Sequence, residues 1–150
     1  MIAFPDTSFL CVLYRRQNNS PAAAACFKAM REPLFVSGLL LYEFRQNVRF
    51  QVWLHARDKS RGYGQVDCDR TLADLKTDLD TGAVVVVGAD WPDVLRLAES
   101  LSKRRTLTGE HRSLDVLHVA TALHLKAKEF LTFDANQRML AAAEKLKVKP

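Results

Sequence analysis

The sequence lacks the marks of a membrane, secreted or fibrous protein. Its longest uncharged apolar runs, LFVSGLLLY at 34–42 and AVVVV at 83–87, fall well short of the roughly 20 residues a spanning helix needs. No basic segment with an apolar core opens the chain, because Asp6 interrupts the only candidate. A signal peptide and a membrane partner are therefore not expected, and the cytoplasm is the expected location. Cysteine is scarce: Cys11, Cys26 and Cys68 are odd in number and scattered, without CxxC spacing or a nearby histidine pair. That argues against a disulfide framework and a structural zinc site, and the three read as small buried or half-buried apolar residues. With only 6 glycines and 5 prolines, and no repeat or low-complexity linker, nothing divides the chain. One domain over 1–150 is expected, long enough to bury a core.

What is present is an ordinary globular composition, 48% hydrophobic and 26% charged, with an uneven net charge of +5. Residues 15–61 carry nine Lys or Arg against three acids, whereas 66–99 carry three against eight. A concentrated basic half suits a phosphate-rich partner, because each neutralised phosphate releases counterions, although a solvated arginine-rich surface reads the same way.

Apolar runs and helical periodicities alternate along the chain. Strands are expected at 2–5, 34–37, within 81–88, at 129–133 and, as a final edge, at KVK near the C-terminus. Helices fall between them: 8–16, a segment capped by Ser20 with Pro21 in its first turn, a long one capped by Ser37, about 65–79, one capped by Asp90, one capped by Ser113, and about 136–146. The β-branched run AVVVV reads as a strand covered on both faces. Strand–helix alternation throughout predicts a parallel sheet with helices on both faces, where ligands gather at the carboxyl ends of strands.

Two of those strand segments finish on an aspartate, IAFP at Asp6 and EFLTF at Asp134. Parallel neighbours would present both at one edge. Two more acids interrupt apolar helical faces. Glu43 shares its face with Leu40, Asn47 and Phe50, and Asp115 lies on the margin of the stripe Val116, Val119, Ala120, Leu123 and Ala127. Each has an ordinary reading alone: Asp6 and Asp134 as helix caps, Glu43 paired with Arg45 or Arg49, Asp115 as a first-turn acid favoured by the helix dipole. Four converging acids without a matching cation would repel, and a divalent ion is the simplest remedy. Hard oxygen donors select Mg²⁺ or Mn²⁺.

In their order and spacing, DTSFL at 6–10, the glutamate of LLLYEFRQN, the aspartate of RSLDVLHVATAL and the aspartate of FLTFDANQR resemble the PIN-domain ribonucleases. The closer likeness is to VapC-type toxins of toxin–antitoxin pairs, and it runs nearly end to end. The resemblance implies a PIN-like three-layer α/β/α sandwich with a central parallel sheet of four to five strands in the order 3-2-1-4-5. It also implies a metal-dependent endoribonuclease that is the toxin of a type II pair, with a cognate antitoxin and a homodimer. Asp6, Glu43, Asp115 and Asp134 would be the catalytic and metal-binding acids, Asp6 and Asp115 binding Mg²⁺ or Mn²⁺ directly. Thr7 or Ser8 would orient Asp6 or the scissile phosphate, and Asn136 would support the cluster. A metal-bound water would cleave the RNA phosphodiester by in-line displacement.

Pro5 departs from the family pattern, since it donates no ladder hydrogen bond just before Asp6. Arg112 and His118 flank Asp115. His118 reads either as a structural hydrogen-bonding residue or as a substrate contact, and His111, Asp115 and His118 together would be the minimum of a transition-metal site. Phosphotransfer folds also place a carboxylate after the first strand, but the haloacid-dehalogenase-like pattern needs a second aspartate where Ser8 stands. The stronger alternative is a catalytically weak PIN-like module that binds RNA or protein.

Overall fold

The computed structural model describes residues 3–15 and 17–150. The expected strand residue Ile2 and helix end at Arg16 lie outside them. Five short strands are joined by seven helices: β1 (Ala3–Pro5), α1 (Thr7–Tyr14), α2 (Ser20–Lys28), β2 (Leu34–Ser37), α3 (Gly38–Arg57), α4 (Gln65–Asp80), β3 (Val84–Val87), α5 (Trp91–Gly109), α6 (Ser113–His124), β4 (Glu129–Leu131), α7 (Ala135–Ala143) and β5 (Lys147–Lys149).

All registered pairings are parallel, as strands separated by helices require. One ladder runs β1-β4-β5, with Ala3, Phe4 and Pro5 opposite Glu129, Phe130 and Leu131; the other pairs β2 with β3. Since β2 packs beside β1, the strands stand in the expected order 3-2-1-4-5, with a seam between β1 and β2. Pro5 lies at that seam. The Asp6 N–H donates to the Leu131 carbonyl at 3.0 Å, so the nitrogen one residue earlier faces β2, where proline has no hydrogen to give. The proline thus leaves the hold of β4 on Asp6 intact.

Helices α1 to α4 pack among themselves, as do α5 to α7, which gives the two helical layers of the sandwich. Phe4 and Phe130 from the strands meet Phe9 and Phe44 from α1 and α3 in a fully buried core. Ser37 caps α3 by accepting from the Leu40 N–H at 3.1 Å, and Asp90 caps α5.

Several local expectations are corrected. Ser20 is the first helical residue of α2 rather than its cap; its hydroxyl lies 2.7 Å from both the Val12 and Arg15 carbonyls and ties the α1–α2 turn together. Ser113 likewise begins α6, behind Arg112. The valine run is not covered on both faces: Val84 is buried, but Val86, on the same face, is 50% exposed, and among the described residues β3 is an edge strand paired with β2. β4 ends at Leu131, three residues before Asp134, although the Thr132 N–H still donates to the Lys149 carbonyl at 3.0 Å.

Candidate functional site

Helix α1 begins at the carboxyl end of β1, and that junction fixes Asp6. The residue is fully buried. Its Oδ1 accepts from the Phe9 N–H at 2.8 Å, the N-cap bond of α1, and from the Ser8 hydroxyl at 2.7 Å, while Oδ2 accepts from the Thr132 hydroxyl. Capping and a functional role therefore coexist in one side chain. Burial raises the Asp6 carboxyl to about 6, against the opposing pull of those hydroxyl and backbone donors.

The strand pairing then brings the β4 end alongside. Thr132 lies one step past the Pro5–Leu131 pair, so its hydroxyl meets Asp6 and also accepts from the Asp134 N–H at 2.9 Å. Ser8 accepts from the Phe133 N–H at 2.9 Å. Asp134 in turn caps α7 by accepting from the Gln137 N–H at 2.9 Å. Thr132 and Ser8 thus clamp the two strand ends together.

Glu43, on α3, is held from two sides. Both the Thr7 hydroxyl and His118 Nε2 reach its Oε2, and since a carboxylate only accepts, Nε2 carries the hydrogen. Burial pushes the Glu43 carboxyl up, but these two bonds and the His118 charge outweigh it and leave it below the ordinary range. His118 is buried on α6 and faces Glu43 rather than the cleft. Asp115, three residues earlier on α6, accepts from the Arg112 N–H at 3.3 Å. Its carboxyl is raised by burial and by the charges of Asp134 and Glu43, which records the mutual repulsion of the cluster.

Glu43, Asp115 and Asp134 line one open cleft of about 460 Å³ together with Thr7 and Ser8. Asp6 sits behind its wall, reached through Ser8. Among the described residues no Lys or Arg forms an ion pair with Asp6, Glu43, Asp115 or Asp134. A hard divalent cation fits such a donor set, because magnesium keeps much of its water shell and needs only one or two direct carboxylates. A pre-formed three-ligand cage is absent: no three His, Cys, Asp or Glu side chains among the described residues converge as a metal group. That holds for His111, Asp115 and His118 as well.

Two expected site residues stand apart. Arg112 is exposed at the start of α6 and meets Asp115 through its backbone. Asn136 does not line the cleft; its neighbour Gln137 does, with Oε1 buried and unpartnered. The sequence reading missed Thr132, whose position opposite Asp6 follows only from the strand register. It also missed Arg15 and Gln51, which line the cleft with Asn47, the residue it had placed on the Glu43 face, at helical spacing from Cys11 and Glu43.

Comparison with solved structures places this arrangement. The chain resembles VapC20 of Mycobacterium tuberculosis, a sarcin-ricin loop cleaving toxin, at 19% identity and TM-score 0.61, covering 99% of each chain. It resembles VapBC-1 of nontypeable Haemophilus influenzae at 14% identity and TM-score 0.67, covering 99% of this chain and 97% of that one. A toxin–antitoxin complex from Klebsiella pneumoniae matches at 14% identity and TM-score 0.57, covering 88% and 86%. At these identities the likeness shows the fold. A sequence comparison with curated proteins gave no match. The PIN domain family model matches residues 3–143, a span that holds every carboxylate of the cleft from Asp6 to Asp134, and the chain belongs to the PIN-domain family.

Proposed function

We propose that this PIN domain is a divalent-metal-dependent endoribonuclease and the toxin of a type II toxin–antitoxin pair. The observation that carries the reading is the cleft itself, where Glu43, Asp115 and Asp134 face one opening with Asp6 behind them and, among the described residues, no Lys or Arg is ion-paired to any of the four. One or two of Glu43, Asp115 and Asp134 would hold Mg²⁺ or Mn²⁺ directly and the rest through its water shell, while Asp6 adds negative charge behind the wall they form. When bound, the ion would lower the pKa of water and neutralise charge gathering on the phosphate under attack.

The chain's own residues do the rest. His118 and Thr7 both fix Glu43 through Oε2, and the residue lines the cleft. Ser8 and Thr132 hold Asp6 and the β4 end in register. Asn47, Gln51 and Gln137 offer neutral hydrogen-bonding groups along the walls, suited to sugar and base edges. RNA as substrate and an antitoxin as partner are supported by the family and by the toxins among its structural relatives. A homodimer is part of the same reading. No helix among the described residues is long and apolar enough to cross a membrane.

The test is cleavage of several structured RNAs with purified protein in Mn²⁺, in Mg²⁺ and in chelator. Wild type should cleave only with metal, and Asp115→Asn and Asp6→Asn should lose about 100-fold or more in rate while keeping the wild-type circular dichroism spectrum. Undiminished cleavage in chelator, or by both variants, would sink the metal-site reading. For the toxin role, expression of the wild type alone should arrest bacterial growth, and Asp115→Asn should not. Unimpaired growth with abundant active protein would remove that role and leave the nuclease.

A further inference from the structure

Arg15 is the one Lys or Arg among the described residues that lines the carboxylate cleft, and it also lines a neighbouring groove of about 510 Å³ between α1, the start of α2 and α4. No other described residue borders both. Its backbone is pinned at the end of α1, where its N–H donates to the Cys11 carbonyl at 3.0 Å and its carbonyl accepts from Ser20. The guanidinium lies 4.8 Å from the centre of the Tyr63 ring.

Tyr63 is itself positioned by a local requirement. Gly62 has φ +62, and a Cβ there would lie 2.0 Å from the Gln51 carbonyl oxygen. Only glycine lets the α3–α4 loop pass this close to α3 and set Tyr63 beneath Arg15. Two polar atoms of the pair are buried and unpartnered, Arg15 Nε and the Tyr63 hydroxyl oxygen. No carboxylate among the described residues ion-pairs with Arg15. A buried donor left without a partner costs stability; with the Cys11 thiol beside the guanidinium but no counter-ion for its charge, an arginine and a phenol at a cleft built for phosphodiester chemistry are matched to an anion.

We propose that Arg15 and Tyr63 form a phosphate-binding subsite for the RNA nucleotide flanking the scissile bond, so that the strand leaves the cleft across Arg15. The assignment rests on the endoribonuclease reading. The 8-residue helix α1 is about 12 Å long and runs from the Asp6 cap to Arg15, so the Arg15 backbone stands a helix length from Asp6 while its side chain reaches the cleft. The groove's second arginine, Arg70, is ion-paired with Asp67, which leaves Arg15 as the lining guanidinium without a carboxylate partner among the described residues. Planar guanidinium donors suit a phosphate better than an ammonium does.

The experiment measures binding of a labelled single-stranded RNA to the full chain carrying Asp115→Asn, in chelator, across a salt series. Adding Arg15→Ala should weaken affinity about tenfold and flatten the slope of log affinity against log salt by about 0.7, the value of one lost phosphate contact on a single strand. Tyr63→Phe should weaken affinity less and leave the slope unchanged, because it removes a neutral donor. In the otherwise native protein, Arg15→Gln, which keeps part of the side-chain stem over Tyr63, should raise KM with kcat little altered. Wild-type affinity and slope in both Arg15 variants would overturn the subsite and leave the groove to a protein partner. Absence of metal-dependent cleavage by wild type would instead defeat the nuclease reading, and the salt slope would still decide Arg15.

Discussion

At the scale of single residues, Asp6 is the group on which folding and function pull in opposite directions. Burial lifts its carboxyl from 3.8 to about 6, so the folded state holds the proton more tightly than the unfolded chain. A raised folded value means that this stabilisation is complete below about 4 and is lost as pH rises through about 6. At neutral pH the buried charge therefore costs on the order of 3 kcal/mol, at 1.36 kcal/mol per pH unit. Asp6→Asn, which keeps an oxygen for Phe9 and Ser8, should raise Tm at pH 7.5 in chelator and leave it nearly unchanged at pH 4. Mn²⁺ at pH 7.5 should raise the wild-type Tm and have less effect on the variant, because an ion compensates the charge that the variant lacks. Thermal melts at the two pH values check both parts, and a variant less stable than wild type at pH 7.5 would refute the sign. Asp6 was legible in the sequence as an acid after a strand. Its partner Thr132 was not, since the pairing that sets them opposite spans 126 residues of chain.

At the scale of elements, legibility followed how local each determinant is. Asp90 and Ser37 were readable as caps because the bond each makes returns within three residues. Ser20 was misread because its hydroxyl binds backward to Val12 and Arg15, a choice made by the packing of α1 on α2 rather than by helix propensity. The valines of β3 suggested a strand buried on both faces, yet hydrophobicity alone does not say how far the covering helices reach along a strand, and Val86 lies beyond that cover. The same limit hid the seam at Pro5, whose consequence depends on which side of β1 its nitrogen faces. His118 is the functional case: from the sequence it stood one turn from Asp115, while in the fold it belongs to Glu43, 75 residues away. Acids ending strands and interrupting apolar helix faces were enough to collect the cleft; the hydroxyls and amides that tune it needed the tertiary register.

At the scale of the whole molecule, α3 joins the cleft to a second surface. Its Leu40, Leu41, Phe44 and Val48 are core, and Glu43 and Asn47 face the cleft. The remaining side is exposed and aromatic: Tyr42 is 64% exposed, and Phe50 and Trp53, 46% and 47% exposed, stack at 5.2 Å under the Arg57 guanidinium. The stacked, exposed pair of rings with an arginine beside it has the composition of an interface core with an arginine rim. The homodimer expected for this chain would bury this face. A dimer built on α3 would set two carboxylate clefts at a fixed separation, each flanked by the positive charge of residues 15–61, which gives a long RNA two points of purchase. Trp53→Glu places two like charges near the dimer axis where the stacked rings were, so the variant should sediment as a monomer at concentrations where wild type is dimeric. It should still cleave a short single-stranded RNA near the wild-type rate, because no residue lining the cleft has changed, while losing roughly tenfold in apparent affinity for a long substrate that engages both clefts. Analytical ultracentrifugation with a short and a long RNA decides it: a Trp53→Glu dimer indistinguishable from wild type would move the interface off α3, and equal losses on both substrates would mean that α3 acts within one cleft rather than between two.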